Sequence, residues 1–230
     1  MKKYSKEIAV TIALCLLLGA VAYRVVEASN SLLPMFNGKN GRVILIDPGH
    51  GGSDPGAVSA RGTKESALNM RIAMFLAEYL MSYGYEIRLT RGYKGDALGM
   101  DEGLSSNDRK RIFLETDHTL AVSIHMNKYS DESVKGAETF YYSQSEESRA
   151  LAELVQSSLV AELDPTNKRQ IKGSSDLYVL KTGRAPAVLV ECGYISNPTE
   201  EMKLLTTEYQ RKVAFAICCG IMRYCEAYGV

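Results

Sequence analysis

The sequence predicts an α/β protein in which helices cover both faces of a central, mostly parallel and twisted sheet, giving three αβα layers. Short apolar runs rich in β-branched residues alternate with longer segments of helical periodicity between residues 43 and 224. The run Val43–Ile46 opens this alternation and stops at Asp47-Pro48-Gly49, a dense turn signal. Sheets of this class bind ligands outside the carboxyl ends of their strands.

The elements after the first strand are predicted from the same patterns. A helix is expected from Lys64 to Tyr83, because apolar residues recur on one face and Gly84 can end it. The other expected strands are Tyr85–Leu89, Leu120–Ile124, Glu138–Tyr142, Leu177–Leu180 and Ala187–Val190, and the other expected helices are Arg109–Thr116, a helix capped by Ser145 that runs to Leu163, a short one opened by Asn197-Pro198-Thr199, and Tyr209–Tyr224.

Three polar stretches are predicted to be loops: Gly49–Thr63, Arg91–Ser106 and Asp164–Ser175. The first lacks the Gly-Lys-Ser/Thr ending of a phosphate-binding loop. The second contains four glycines. We expect it to be mobile and to lie over the ligand site at the carboxyl ends of the strands.

Composition narrows the class of protein. The chain has 230 residues, which suits one globular domain, and 27 Lys+Arg residues balance 27 Asp+Glu residues. This neutrality argues against nucleic acid as a partner, whereas it is compatible with a polymeric saccharide as the substrate. We expect no structural disulfide: Cys15 lies in an apolar N-terminal run, Cys192 is alone, and Cys218, Cys219 and Cys225 share one helix.

The first 29 residues resemble an export signal. Lys2, Lys3 and Lys6 precede an apolar run from Ile8 to Tyr23, which is slightly shorter than the roughly 20 residues of a full membrane span. A cleaved signal peptide and a retained membrane anchor both stay open, and either places the rest of the chain outside the cytoplasm. We therefore expect residues 30–41 to form a linker and residues 42–230 the folded domain, with membrane contact through the N-terminal segment only.

Four side chains are predicted to converge at one edge of the sheet. His50, His125 and Glu191 each follow a predicted strand, and Glu65 lies in the first turn of the helix after the His50 loop. Two imidazoles and a carboxylate form a common catalytic zinc set that leaves a fourth position open. A second, unligated glutamate can accept a proton and return it to the leaving group.

Each residue also has a structural explanation. His125 alone suits a hydrogen-bonded histidine at a strand end, and Glu65 alone suits a helix start that the dipole favours. Glu191 follows the apolar run 187–190 and needs a partner if it is buried. His118 is read as structural, and Cys192 paired with His125 is a weak nucleophile candidate because nothing in the sequence lowers its thiol pKa.

The motifs together resemble the zinc-dependent N-acetylmuramoyl-L-alanine amidases of the bacterial cell wall, from Arg42 to Tyr224. They are Ile46-Asp47-Pro48-Gly49-His50-Gly51-Gly52, Lys64-Glu65 with Asn69, Ser123-Ile124-His125-Met126-Asn127, and Val190-Glu191-Cys192-Gly193-Tyr194-Ile195-Ser196-Asn197. The resemblance implies that His50, Glu65 and His125 bind one catalytic Zn²⁺ and that Glu191 is the catalytic glutamate. It also implies hydrolysis of the amide between the lactyl group of N-acetylmuramic acid and L-alanine in peptidoglycan.

A subgroup of that family is more similar still. The short N-terminal apolar segment and the run Gly136-Ala137-Glu138-Thr139-Phe140-Tyr141-Tyr142 are similar to germination-specific amidases of endospore formers. This resemblance implies action on spore cortex in the spore envelope, preparing muramic acid for conversion to the δ-lactam. The chain departs from the family pattern at one position. Arg109 fits the pattern, but Leu114 occupies the position five residues later where the family usually has Asn. No wall-binding repeat is apparent, so we expect targeting through the anchor, the substrate or an activating partner protein.

Three other interpretations stay open. A zinc carboxypeptidase acting on wall peptides would use the same metal set, but the sequence offers no clear clamp for a free carboxylate. A vegetative cell-wall amidase would share the reaction and differ in its substrate. A non-catalytic peptidoglycan-binding module would be expected to have lost one of the four site residues.

Overall fold

The computed structural model describes residues 41–91, 106–181 and 185–230, and within these ranges it contains one six-stranded sheet. The strands are β1 (Val43–Pro48), β2 (Glu86–Leu89), β3 (Leu120–Asn127), β4 (Glu138–Tyr142), β5 (Lys172–Ser174) and β6 (Ala187–Tyr194). The helices are α1 (Glu65–Ser82), α2 (Ser106–Glu115), α3 (Glu146–Leu163), α4 (Tyr178–Lys181), α5 (Pro198–Leu204) and α6 (Thr207–Tyr228).

The sheet is mostly parallel, as the sequence predicts. Its strand order is β2-β1-β3-β6-β4-β5, and β2, β1, β3 and β6 run parallel to one another. β4 pairs antiparallel with β6, and β5 is parallel to β4. As a consequence, the first residues of β4 and β5 lie at the same edge as the last residues of the other four strands. This shared edge carries the site.

Helices cover both faces of the sheet, which confirms the three-layer fold. The larger core lies under α1, α3 and α6, and the buried stripe Leu68, Ile72, Leu76 and Leu80 places α1 against it. Because these residues recur every four positions, they form one face of the helix. The smaller core on the opposite face lies under α2 and α4 and includes Phe113, Val179 and Leu180.

The predicted caps of two helices are confirmed. The Ser145 side chain accepts a hydrogen bond from the backbone N–H of Ser148 at the start of α3. The Asn197 side chain accepts from the N–H groups of Thr199 and Glu200 at the start of α5, with Pro198 as its first residue. Both caps satisfy donors that have no partner inside the helix.

The structure corrects several predicted elements. Leu177–Leu180 is not a strand: Tyr178–Lys181 forms one helical turn that buries Val179 and Leu180. The predicted loop Asp164–Ser175 contains β5, a short edge strand paired with β4. β3 and β6 also extend three and four residues beyond the predicted ends at Ile124 and Val190.

Some predictions fall outside the described residues. These are the export segment 1–29, the linker apart from Gly41, and nearly all of the loop Arg91–Ser106. Among the described helices, none combines the length and apolar character needed to cross a bilayer. The four described cysteines, Cys192, Cys218, Cys219 and Cys225, have free thiols.

Candidate metal centre

The turn after β1 presents His50 at the shared edge of the sheet. Gly49 continues the ladder by donating its N–H to the carbonyl of Ile124 at 2.9 Å. His50 then adopts φ 61°, a left-handed conformation that is uncommon for a residue with a side chain. A Cβ on Gly49 would lie 2.2 Å from the ring of His125, so only glycine lets the two imidazoles approach.

Asp54 orients the His50 ring, a role that the sequence analysis missed. Its Oδ2 lies 2.8 Å from His50 Nδ1, while its Oδ1 accepts from the backbone N–H of Gly56. Because a carboxylate only accepts hydrogen bonds, Nδ1 carries the proton and Nε2 points to the rest of the site. A carboxylate four residues after a histidine in a Gly-rich turn was the available signal.

Glu65 is buried at the centre of the site, where its side chain is only 4% exposed. Its Oε2 accepts from the N–H of Ala57 at 2.8 Å, and its Oε1 accepts from the N–H of Met126 at 3.1 Å. The side-chain amide of Asn69, one helical turn along α1, also donates to Oε1 at 3.3 Å. These donors fix the carboxylate between the two histidines.

The three predicted metal ligands come together in the structure. Glu65 Oε1 lies 3.3 Å from His50 Nε2 and 3.0 Å from His125 Nδ1, and one ligand atom from each residue lies within 4.8 Å of the other two. A tetrahedral zinc ion with bonds of about 2.0–2.1 Å needs ligand atoms about 3.3 Å apart. The donor set and its spacing therefore fit one zinc ion with little rearrangement.

The carboxylates of the cluster favour a bound positive charge, either protons on the histidines or a metal cation. Burial alone would lower the pKa of His50, but hydrogen bonds and charges from Glu65 and Asp54 outweigh it and raise the pKa to about 9. Burial would raise the pKa of Glu65, but hydrogen bonds from His125 and His50 hold it well below its usual range. In a metal complex the cation takes the place of these protons.

Glu191 faces this cluster from β6, in direct register with His125 on β3. It lies inside the strand rather than just beyond its end, because β6 continues to Tyr194. Its Oε2 is buried and has no hydrogen-bond partner among the described residues. Burial raises the pKa of Glu191 to about 7, against the opposing attraction of His125.

Neither Cys192 nor His118 is placed to take part in the chemistry of this site. Cys192 is fully buried, and burial together with the charge of Glu191 raises the pKa of its thiol well above the usual value. A thiol in that environment is a poor nucleophile. His118 lies away from the site, with Nδ1 at 2.7 Å from the carbonyl of Thr116 and its ring against Phe113.

The backbone of the His50 turn is supported from outside the cluster. The buried side chain of Arg91 donates to the carbonyls of Pro48 at 2.7 Å and Ser66 at 2.8 Å. Asn69, which belongs to one of the motifs, donates to the carbonyl of Gly49 at 3.0 Å. No sequence motif predicts this role for Arg91. Leu114, the departure from the family pattern, is exposed on α2.

This fold and site define a class of protein: an α/β protein whose His-Glu-His cluster and neighbouring buried glutamate have the arrangement typical of metal-dependent hydrolases. Comparison with protein families matches residues 44–223 to N-acetylmuramoyl-L-alanine amidase, and the chain belongs to this family. Members of the family are generally zinc-dependent.

Individual relatives agree with this assignment. The chain is 32% identical over 194 residues to the germination-specific N-acetylmuramoyl-L-alanine amidase of Bacillus subtilis, covering 80% of each protein. It is 29% identical over 226 residues to the Escherichia coli amidase AmiA, covering 80% of this chain and 76% of that protein. The structure matches the CwlD amidase from Clostridioides difficile, solved in complex with the GerS lipoprotein, with a TM-score of 0.74, 33% identity, and 81% and 99% coverage.

Proposed function

We propose that this protein is a zinc-dependent N-acetylmuramoyl-L-alanine amidase that hydrolyses the amide between the lactyl group of N-acetylmuramic acid and L-alanine in peptidoglycan. The observation that carries the proposal is the convergence of ligand atoms of His50, Glu65 and His125 to within 4.8 Å of one another. Beside them lies a buried carboxylate oxygen of Glu191 that has no hydrogen-bond partner in the described part of the chain. Family membership supports the choice of bond.

His50, Glu65 and His125 would hold the single Zn²⁺. When bound, this metal supplies Lewis-acid chemistry, polarising a carbonyl and lowering the pKa of water. Asp54 keeps the Nε2 of His50 directed at the site, and the backbone N–H groups of Ala57 and Met126 keep Glu65 in place. The ligands are therefore set before substrate arrives, which reduces the cost of ordering them.

Glu191 acts as the general base and then the general acid. It takes a proton from the attacking water, whose oxygen adds to the lactyl carbonyl carbon, and it returns that proton to the L-alanine nitrogen as the C–N bond breaks. Burial raises its pKa, so the carboxyl group can hold the proton between the two transfers. The products are a free lactyl carboxylate on the glycan and a free stem peptide.

The proposal extends to spore cortex as the substrate, with formation of muramic δ-lactam and germination as the outcome. Similarity to the germination-specific amidase of Bacillus subtilis supports it. We further propose an exported protein of the forespore or spore envelope, anchored or secreted through residues 1–29. The Clostridioides difficile neighbour was solved with a lipoprotein, which supports an activating partner protein here.

Digestion of purified peptidoglycan tests the reaction and its substrate. The protein is incubated with cortex and with vegetative wall, with and without chelator, and the products are analysed by mass spectrometry. The proposal expects free stem peptides and lactyl carboxylates, faster release from cortex, and loss of activity with chelator. Loss of a terminal amino acid with an intact lactyl amide would instead identify a carboxypeptidase, and faster release from vegetative wall would identify a vegetative amidase.

Glu191→Gln tests the catalytic role. This variant keeps the side-chain volume and removes the base, so we expect kcat to fall by about 10²–10⁴-fold while bound zinc stays at one ion per chain. The matched control is Glu208→Gln, an exposed carboxylate on α6 that pairs with Lys212. Full activity of Glu191→Gln would exclude the proposed base.

A further inference from the structure

The site belongs to a longer row of side chains that crosses the sheet at the shared edge. His125 on β3 is in register with Glu191 on β6, and Glu191 is in register with Glu138 on β4. Residues in register on neighbouring strands project from the same face and lie side by side. The row therefore continues beyond Glu191 and away from the metal ligands.

Two cations end this row. Lys172, the first residue of β5, places Nζ 3.0 Å from Glu138 Oε2, and Arg169 places Nη1 3.4 Å from Glu138 Oε1. Glu138 is buried, with 2% of its side chain exposed, whereas Lys172 is 54% exposed and Arg169 is 23% exposed. The acid lies beneath the two cations, and both cations keep surface that solvent or a ligand can reach.

The two cations face a pair of neighbouring carboxylates. Glu138 contacts both cations and Glu191 lies next to it in the row, so the four groups sum to zero when Glu191 is ionised and to one positive charge when it is protonated. The guanidinium carbon of Arg169 stacks 4.7 Å from the ring centroid of Tyr194, and its Nε donates to the carbonyl of Lys135 at 2.7 Å. These contacts hold the guanidinium in a fixed orientation.

A cavity adjoins one of these cations, Arg169. It has a volume of about 310 Å³, and its charged lining residues are Arg169, Lys135, Lys168 and Asp164. Three cations and one carboxylate give the lining of this cavity a net positive charge. Lys135 and Lys168 are exposed, so they extend the positive surface outward from the row.

We propose that Lys172 and Arg169 form a subsite for the carboxylates of an acidic stem peptide on the leaving-group side of the scissile amide. This inference rests on the proposed amidase function and deepens it. Strands are spaced by about 4.8 Å, so β4 and β5 lie about 10 and 14 Å from β3, where His125 stands. Residues two to four of an extended peptide lie about 7–14 Å from the scissile bond, which matches this span.

The same distances argue against a carboxypeptidase clamp. A terminal carboxylate would lie one residue, or about 4 Å, beyond the scissile bond, whereas both cations contact Glu138 on β4, two strands away from His125. The sequence predicts a polar loop for Arg169 and Lys172 and shows no clear clamp for a free carboxylate. The structure brings the two cations together at a distance that suits an internal acidic residue of the stem.

Paired substrates test the subsite. Glycan strands with stems whose second and third residues carry free carboxylates are compared with the same strands amidated at those carboxylates. For Lys172→Gln we expect KM on the free-carboxylate substrate to rise by about tenfold, the loss of one charge-assisted hydrogen bond, with kcat unchanged. On the amidated substrate we expect less than a twofold change. Lys172→Arg should restore most of the affinity because it keeps the charge.

The controls separate this inference from the proposed function. Arg169 still pairs with Glu138 in Lys172→Gln, so folding is preserved, and Lys212→Gln on α6 is the control for loss of an exposed lysine. Equal KM changes on both substrates, or a fall in kcat on both, would overturn the subsite while leaving the amidase intact. Failure of the wild-type protein to release stem peptide from either substrate would overturn the proposed function itself.

Discussion

At the scale of single residues, the side chains that contact the candidate ligands matter as much for metal binding as the ligands themselves. Asp54 accepts from His50 Nδ1 at 2.8 Å and thereby fixes which ring nitrogen faces the site. Residues that hydrogen-bond to a metal ligand set its orientation and basicity, and their loss commonly weakens metal binding by about 10–100-fold. Asp54 is thus part of the proposed zinc site without binding the metal.

Asp54→Ala should weaken zinc binding by about 10–100-fold, because the His50 ring loses the carboxylate that orients it. Competition with a chromophoric chelator measures the Kd directly and does not depend on activity. Asp131→Ala is a matched control, since Asp131 Oδ1 accepts from the backbone N–H two residues on, at 2.8 Å, as Asp54 Oδ1 does at 3.0 Å. An unchanged Kd for Asp54→Ala would contradict the role assigned to it.

The sequence predicted the residues whose types carry chemistry, and the structure brings His50, Glu65, His125 and Glu191 to one place. It did not predict the partners whose roles depend on geometry alone. Arg91 lies far along the chain from the carbonyls that it contacts, and a buried arginine has no local signature in a sequence. Arg169 and Lys172 are brought together by ion pairs with Glu138, which lies about 30 residues earlier in the sequence.

At the scale of elements, the long periodic segments were predictable, and so were the short strands β2 and β4, whereas α4 and β5 were not. The strands β1, β3 and β6 and the helices α1, α3 and α6 bury continuous apolar faces, which leave a clear pattern. The run Leu177–Leu180 is apolar but too short for periodicity to distinguish strand from helix, and it forms α4. β5 consists of Lys-Gly-Ser and pairs on one side only, so no apolar pattern marks it.

The packing of α3 against α6 depends on a single glycine. A Cβ on Gly220 would lie 2.5 Å from the Cα of Val155, and a backbone atom cannot yield as a side chain can. Gly220→Ala gains up to about 1 kcal/mol in helix propensity but forces the helices apart, a change that costs about 1–3 kcal/mol. Because the clash is with the backbone, we take the upper part of that cost, about 2–3 kcal/mol, and expect a net loss of about 1–2 kcal/mol in unfolding free energy.

Urea denaturation followed by circular dichroism measures this loss. Cys219→Ala on the same helix is the control, because it adds no atom and Cys219 is only partly buried. A Gly220→Ala variant as stable as wild type would mean that α3 and α6 can separate without cost. Zinc affinity should not change, since neither helix contributes a candidate ligand.

At the scale of the whole molecule, the site joins segments that are distant along the chain. His50 follows β1, Glu65 starts α1, and His125 lies in β3, so the three meet only in the folded domain. A ligand that binds only the folded state stabilises it by RT ln(1 + [L]/Kd), or about 2.7 kcal/mol at one hundred times Kd. Zinc should therefore stabilise the entire domain as well as complete its site.

Zinc at one hundred times its Kd should raise the Tm by about 5–10 °C, because a domain of this size gains about 2–4 °C per kcal/mol. Glu65→Gln should lose this shift, since it removes the charge between the two histidines, whereas Glu191→Gln should keep it. Calorimetry of the two variants with and without zinc separates metal binding from catalysis. An equal zinc-dependent shift in both variants would remove Glu65 from the ligand set, and loss of the shift in Glu191→Gln alone would make Glu191 a ligand rather than the base.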